Sequence, residues 1–477
     1  MFASFTDYYL LFFKQNSFIL HFSLPSDFKS HIAGINFAAF SRNAHKNLHI
    51  SNNFCNFASA KLLPKLSTMQ IGYVTFNTEE RQRVMKVLQM VRDQTAIDEL
   101  GLGRIRDAFA NEMFPGMSTL QRRAKYFAVL PSLYYEAAKL RYRSREEVHR
   151  QIIHWEIRLT DMLCNGANTP EDRNGITGSS MLEAAKNDET KFVRYDPTYI
   201  YQTGLRTYNM IRGNGNLEQL IFERSRKLSD LPTRLTDLEN GADADEQTGL
   251  DQLFATCGEH YDFDRGEMLQ VNLTKREAQF IKRHIELSPN SKDSLLAYLL
   301  RENMPVAPNY AALSPIWQDL PAHFQEQYRL ALHFSNWAYY MHLRYRYLFF
   351  LGKEDTEQTA HYDGLMHDWI EQHPEILDSN RMEAVLNHVW TRTNEPTVHQ
   401  FCRNAAKLLA KNEMPQLDSL IRHREKQIKQ GRNKINNPKY RAYDMSEPRV
   451  MTFRWDEIVY QVITEIRNAI CPNEEIH

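Results

Sequence analysis

At 477 residues, 42% hydrophobic and 25% charged, the chain is too long for one ordinary core and reads as a globular protein of two or three domains. Its 58 Lys and Arg stand against 59 Asp and Glu, which excludes a general polyanion binder and makes any nucleic-acid surface a local one. Cys55, Cys164, Cys257, Cys402 and Cys471 are scattered without metal-site spacing, which argues against a disulfide framework or a zinc site and reads as reduced cytoplasmic thiols.

The first 68 residues hold two acids, Asp7 and Asp27, six bases, and eleven of the 26 phenylalanines. Lys14, Gln15 and Asn16 interrupt the apolar run "YYLLFF…FIL", so it falls short of the ~18 residues of a membrane helix, and no clean cleavage site follows it. Sequence character changes at Met69, so residues 1–68 are expected to be a disordered leader or a mis-assigned start, with Met69 the true first residue. No membrane association is expected.

Ile71 to Phe76 alternates like a short strand, and Val84, Val87, Leu88 and Val91 make a helical apolar face. Next comes "DELGLGRIRDAFANEMFPGMSTLQRRAKYF", Asp98 to Phe127. Gly101 and Gly103 suit a turn into a helix that buries Ile105, Ala108 and Phe109. Pro115-Gly116 is a turn, and Ser118 or Thr119 is expected to cap a helix with Leu120, Ala124, Phe127 and Ala128 on one side. Pro131 should kink or end it. Further helices are predicted over 145–163, with Val148, Ile152, Trp155 and Leu159 inward, and over 199–211. Ser229 to Glu267 carries eleven Asp or Glu against Arg234 and Arg265 and is expected to be a linker with little core. Beyond it, helical spacing covers 274–285, 293–301, 318–351, 382–389, 396–411 and 455–470.

These elements predict a mainly α protein of two helical lobes, with room for a small strand or winged-helix-like element in the N-terminal half. The expected division is 1–68 leader, 69–230 N-terminal helical domain, 231–267 acidic linker and 268–477 C-terminal helical domain.

Phosphate-loop chemistry does not fit "GLGRIRDAF", because the third glycine and a Lys-Ser or Lys-Thr pair are missing. Arg104, Arg106, Arg122 and Arg123 could grip an anion, or pair internally with Asp107 or Glu112. A helix-turn-helix-like unit within 179–227 could present Arg206 and Arg212. The clearest electrostatic signal is the basic segment 422–441. There Arg422, Arg424, Lys426, Lys429, Arg432, Lys434, Lys439 and Arg441 face the single acid Glu425, with Tyr440 and Tyr443 nearby. Such a cluster suits phosphate contact with base stacking; a solvated helix face is the alternative. The aromatic run Asn336 to Phe350 reads as a helix buried on most sides. His361 and His367 are six apart and no H-E-x-x-H occurs, so no metal or other cofactor is expected. No carboxylate pair is marked as acid and base.

The motifs "IGYVTF", "DELGLGRIRDAFANEMFPGMSTLQRRAKYF", "GITG", "YDPTYIYQTGLRTYNMI", "SLLAYLL" and "FRWDEIVYQVITEIR" occur in that order. In this they resemble an uncharacterised bacterial family of unknown function, from Met69 to the C-terminus. Genes of that family sometimes lie near phage-defence genes. The resemblance and the basic segment together lead to the expectation of a cytoplasmic, non-enzymatic accessory protein of a defence system, with 422–441 contacting DNA or RNA. A scaffold for a helicase or nuclease effector, and a metal-dependent nuclease or other hydrolase with a dispersed site, are the alternatives.

Overall fold

In the computed structural model the described residues are 98–230, 249–443 and 445–472, together with two strands upstream. Met1–Ile97 and Asp98–His477 are separate compact units. In the first, β1 (Tyr8–Phe12) pairs antiparallel with β2 (Ile19–Ser23), Leu10 opposite His21. The remainder of the expected leader, the strand at 71–76 and the helix with Val84 and Val91 lie outside the described residues.

The second unit is mainly α, as the apolar periodicity predicts. Gly103 opens α1 (Gly103–Met113), whose first amide is capped by the Asp98 carboxylate; Ile105, Ala108 and Phe109 are buried. The next helix starts later than expected. Residues 118–124 are turns and Leu120 is exposed; α2 runs over Lys125–Ala137 with Pro131 inside it. No Ser or Thr caps it. Glu465, far along the chain, accepts instead from the Ala124 amide at 2.7 Å, which a local reading of caps cannot find.

Ser144 caps α3 (Arg145–Asn165), accepting from the Glu147 amide, and Val148, Ile152, Trp155 and Leu159 point inward. A short α4 (Leu182–Asn187) follows; α5 (Pro197–Thr207) is capped by Asp196, and α6 spans Leu217–Asp230. A capping box of Thr274 and Glu277 starts α7 (Lys275–Leu287), and α8 is Leu295–Arg301. The long α9 (Ala322–Gly352) buries Phe324, Tyr328, Ala331, Phe334, Trp337, Met341, Tyr345 and Leu348. It packs against α10 (Thr356–Gln372), then α11 (Ser379–Thr393), α12 (Pro396–Ala410) and α13 (Met414–Lys429) follow. After a single π-turn at Trp455–Val459, α14 (Tyr460–Ile470) closes on α7.

Asp98–His477 is a single compact unit, and one expectation needs correction. The expected linker is partly core: residues 231–248 lie outside the described residues, but Leu250, Phe254, Cys257, Tyr261 and Phe263 are buried. These apolar side chains are interspersed with the acids along a mostly irregular stretch, so a charge count conceals them. The joint is a buried network. Lys125 Nζ donates to Glu277 at 2.7 Å and to the Asn272 carbonyl at 3.2 Å, while Tyr261 OH donates to Glu277 at 2.6 Å. The strand element of the N-terminal half amounts, among the described residues of this unit, to one bridge between Ile211 and Phe254.

Candidate nucleic-acid interface

The basic segment begins on α13, where Leu417, Ile421, Arg424 and Ile428 recur at four, three and four. That spacing sets Arg424 on the inward stripe. Leu417 and Ile421 are fully buried and Arg424 is 5% exposed. Its guanidinium donates to the Leu100 carbonyl at 2.9 Å and lies 5.5 Å from the Phe401 ring. Gly101 makes this approach possible: its φ is +69°, and a Cβ there would stand 2.8 Å from both Arg424 Nη2 and Ile428 Cδ1.

Two further bases of the segment turn inward. Lys429 is 5% and Lys434 6% exposed. Both ammonium groups meet Glu99; Lys434 Nζ donates to it at 2.9 Å, and Lys429 Nζ touches its other oxygen. Glu425, also buried, accepts from Tyr345 OH at 2.5 Å and from the Lys434 and Ile435 amides at 2.6 and 3.3 Å. Burial, with Lys434 beside it, pulls the Lys429 pKa down to about 7, against the pull of Asp98. The expectation that all eight cations stand in water is therefore corrected. Arg424, Lys429 and Lys434 fasten the segment to the start of the opening block, whose acid lies more than three hundred residues upstream.

The other bases face outward. Lys426, Arg432, Lys439 and Arg441 are exposed and Arg422 half-buried. Among the described residues none of the five takes part in an ion pair. Elsewhere the surface is mixed: Lys139, Lys186, Lys191, Arg265, Arg329 and Arg381 each hold a carboxylate close by, whereas Arg141, Arg150, Lys275 and Lys411 are exposed and, among the described residues, in no ion pair.

Between the end of α9 and the loop 434–441 lies a cleft of about 100 Å³. Lys353, Lys434 and Arg441 line it with Asn436, Tyr440 and Phe349, and no carboxylate is among its lining residues. Lys353 Nζ donates to the Tyr443 carbonyl at 3.1 Å and rests over the Phe349 and Phe350 rings. Lys434 Nζ sits 4.1 Å from the Tyr443 ring centre. Tyr440 and Tyr443 meet edge to face with centroids 6.0 Å apart. Lys353 belongs to this site although nothing in its local sequence marks it; only the packing of α9 against the segment brings it there.

The four arginines of the opening block are not gathered. Arg104 pairs with Glu395 at 2.5 Å and Arg106 with its neighbour Asp107 at 3.0 Å. At the other end of the block Arg123 pairs with Glu465 at 3.2 Å and donates to the Asn174 and Asp172 carbonyls. Arg122 is exposed. Three of the four thus spend their charge within the fold. Arg206 and Arg212 do likewise, donating to the carbonyls of Gly213 and Gly215 and of Asn209 and Asp251. They fasten a turn and an adjoining loop rather than presenting a reading helix.

Among the described residues no group of three or more His, Cys, Asp or Glu could hold a metal ion, and no helix is long and apolar enough to cross a membrane. Residues 68–208 match a family described as a family of unknown function (DUF6361), which upholds the resemblance to an uncharacterised family. No curated protein and no solved structure matches the chain.

Proposed function

We propose that this protein contacts nucleic acid without acting on it chemically, through the outward cations of 422–441. One observation carries the reading. Lys426, Arg432, Lys439 and Arg441 are exposed and, among the described residues, without carboxylate partners, on a segment that Arg424, Lys429 and Lys434 anchor to the core. A fixed backbone with unspent cations can neutralise successive phosphates and release their counterions. Tyr440, half-buried beside them, supplies an aromatic face for stacking.

Filter binding of a single-stranded and a duplex oligonucleotide across salt tests it. The affinity should fall log-linearly with salt. Changing Lys426, Arg432, Lys439 and Arg441 together to Gln should flatten the slope by roughly three units, at ~0.7–0.9 per phosphate contact. Binding indifferent to salt, or unchanged in the four-fold variant, would count against the reading. Arg424 and Lys429 are unsuitable probes, because they are buried and their loss would disturb the fold.

A further inference from the structure

We propose that the cleft at the end of α9 is a seat for a phosphate monoester or free phosphate, held by Lys353, Asn436 and Arg441 with Lys434 behind them. This deepens the nucleic-acid reading by assigning the strand terminus, rather than the continuous backbone, to one discrete place.

The charge balance of the cleft carries the assignment. Lys353 and Arg441 line a space of about 100 Å³ with no carboxylate among its lining residues, while Lys434, also on its wall, is already paired with Glu99. A backbone phosphodiester brings one negative charge, whereas a monoester brings about −1.5 to −2 at neutral pH. The dianion is the better match for the two cations, Lys353 and Arg441, that remain without a carboxylate in a partly enclosed site. Donors remain available. The Arg441 guanidinium is exposed and, among the described residues, takes part in no ion pair; only its backbone amide is engaged, donating to the Pro438 carbonyl at 3.3 Å. Lys353 spends one proton on the Tyr443 carbonyl, which leaves two for a ligand. Asn436 adopts a left-handed φ of +57° and is exposed. Its side-chain oxygen lies so close to Gly352 that a Cβ there would displace it.

The site adjoins the negative end of a long helix, which by itself disfavours an anion. Here that end is blunted. The Phe349, Phe350 and Leu351 carbonyls accept from the amides of Lys353, Glu354 and Asp355, and the Lys353 ammonium lies over the two phenylalanine rings. Asp355 itself is turned away to cap α10, accepting from the Gln358 amide at 3.1 Å.

Two measurements on the full chain test the seat. Isothermal titration with inorganic phosphate should show one site, and Arg441→Gln or Lys353→Gln should each weaken it about tenfold, as for loss of a charge-assisted hydrogen bond. Asn436→Ala serves as a milder third variant, and thermal melting confirms that each variant is folded. The second arm compares oligonucleotides of one sequence with a 5′-phosphate or a 5′-hydroxyl. The phosphorylated strand should bind more tightly, and Arg441→Gln should erase the difference, while Lys426→Gln weakens both strands alike. No phosphate binding, or affinity untouched by Arg441→Gln and Lys353→Gln, overturns the seat. Phosphate binding with no oligonucleotide binding upholds the seat, assigns it to free phosphate, and instead defeats the nucleic-acid reading. Phosphate binding with both strands bound equally upholds the seat and leaves free phosphate as its ligand.

Discussion

Two buried ionic networks tie the opening block to the rest of the fold, and they are built differently. At one end, Lys125 meets one carboxylate, Glu277, and that carboxylate is completed by Tyr261 and the Thr274 amide. Every charge has one partner and the remaining lone pairs are filled. At the other end, Glu99 serves two lysines, Lys429 and Lys434, and the nearby Glu425 is taken up by a tyrosine and two backbone amides. The first is a closed pair. In the second, one carboxylate is shared by two lysines, and Lys429, with its pKa near 7, is the group that can yield. The difference teaches why a basic run of eight residues need not be a basic surface of eight: the fold uses part of it as mortar.

The largest effect should come from breaking the closed pair. Glu277→Ala leaves Lys125, 1% exposed, without its acid, so unfolding in urea should show a loss of about 3–5 kcal/mol. Glu99→Gln should cost less, roughly 2–3 kcal/mol at pH 7, because Lys429 can shed its proton rather than remain as an orphaned charge. Its cost should shrink between pH 7 and pH 9; a cost that grows with pH would contradict this asymmetry.

The pH dependence follows from the same lysine. Its pKa is near 7 in the fold against an ordinary 10.5, so between those values the unfolded chain holds a proton that the folded chain has released. Stability then rises with pH across that window, by up to about 1.4 kcal/mol per unit, and the full penalty is present below pH 7. Lys429→Met should flatten the rise in urea titrations from pH 7 to 10, whereas Lys125→Met should leave it in place. Smaller still is Gly101→Ala, where a left-handed φ and the contact with Arg424 should cost about 1–2 kcal/mol in thermal melting.

Much of the helical frame was legible. Ser144 before Arg145, and Thr274 with Glu277, are caps written within four residues, and the 318–351 periodicity names the residues that α9 buries. What could not be read was carried by distant partners. Glu465 caps α2 from the last helix, so Ser118 and Thr119 looked like caps and were not. Arg104 and Arg123 looked available until Glu395 and Glu465 were placed beside them. Some of the candidate site was legible and overlooked. Leu417, Ile421, Arg424 and Ile428 trace one helical stripe, which marks Arg424 as inward from spacing alone. Charge counting along 422–441 hid that stripe, just as it hid Leu250, Phe254, Cys257 and Tyr261 in the acidic stretch.

The central claim is a division of labour, with inner bases holding the fold and outer bases holding a polyanion. Its most direct test measures one four-fold variant, Lys426, Arg432, Lys439 and Arg441 all to Gln, for melting temperature and for the salt slope of oligonucleotide binding. The account predicts a small change in stability, since each surface substitution is worth within about 0.5 kcal/mol, together with a slope flattened by roughly three units. A variant that unfolds early, or one that binds the oligonucleotide with the slope of the parent chain, would contradict it.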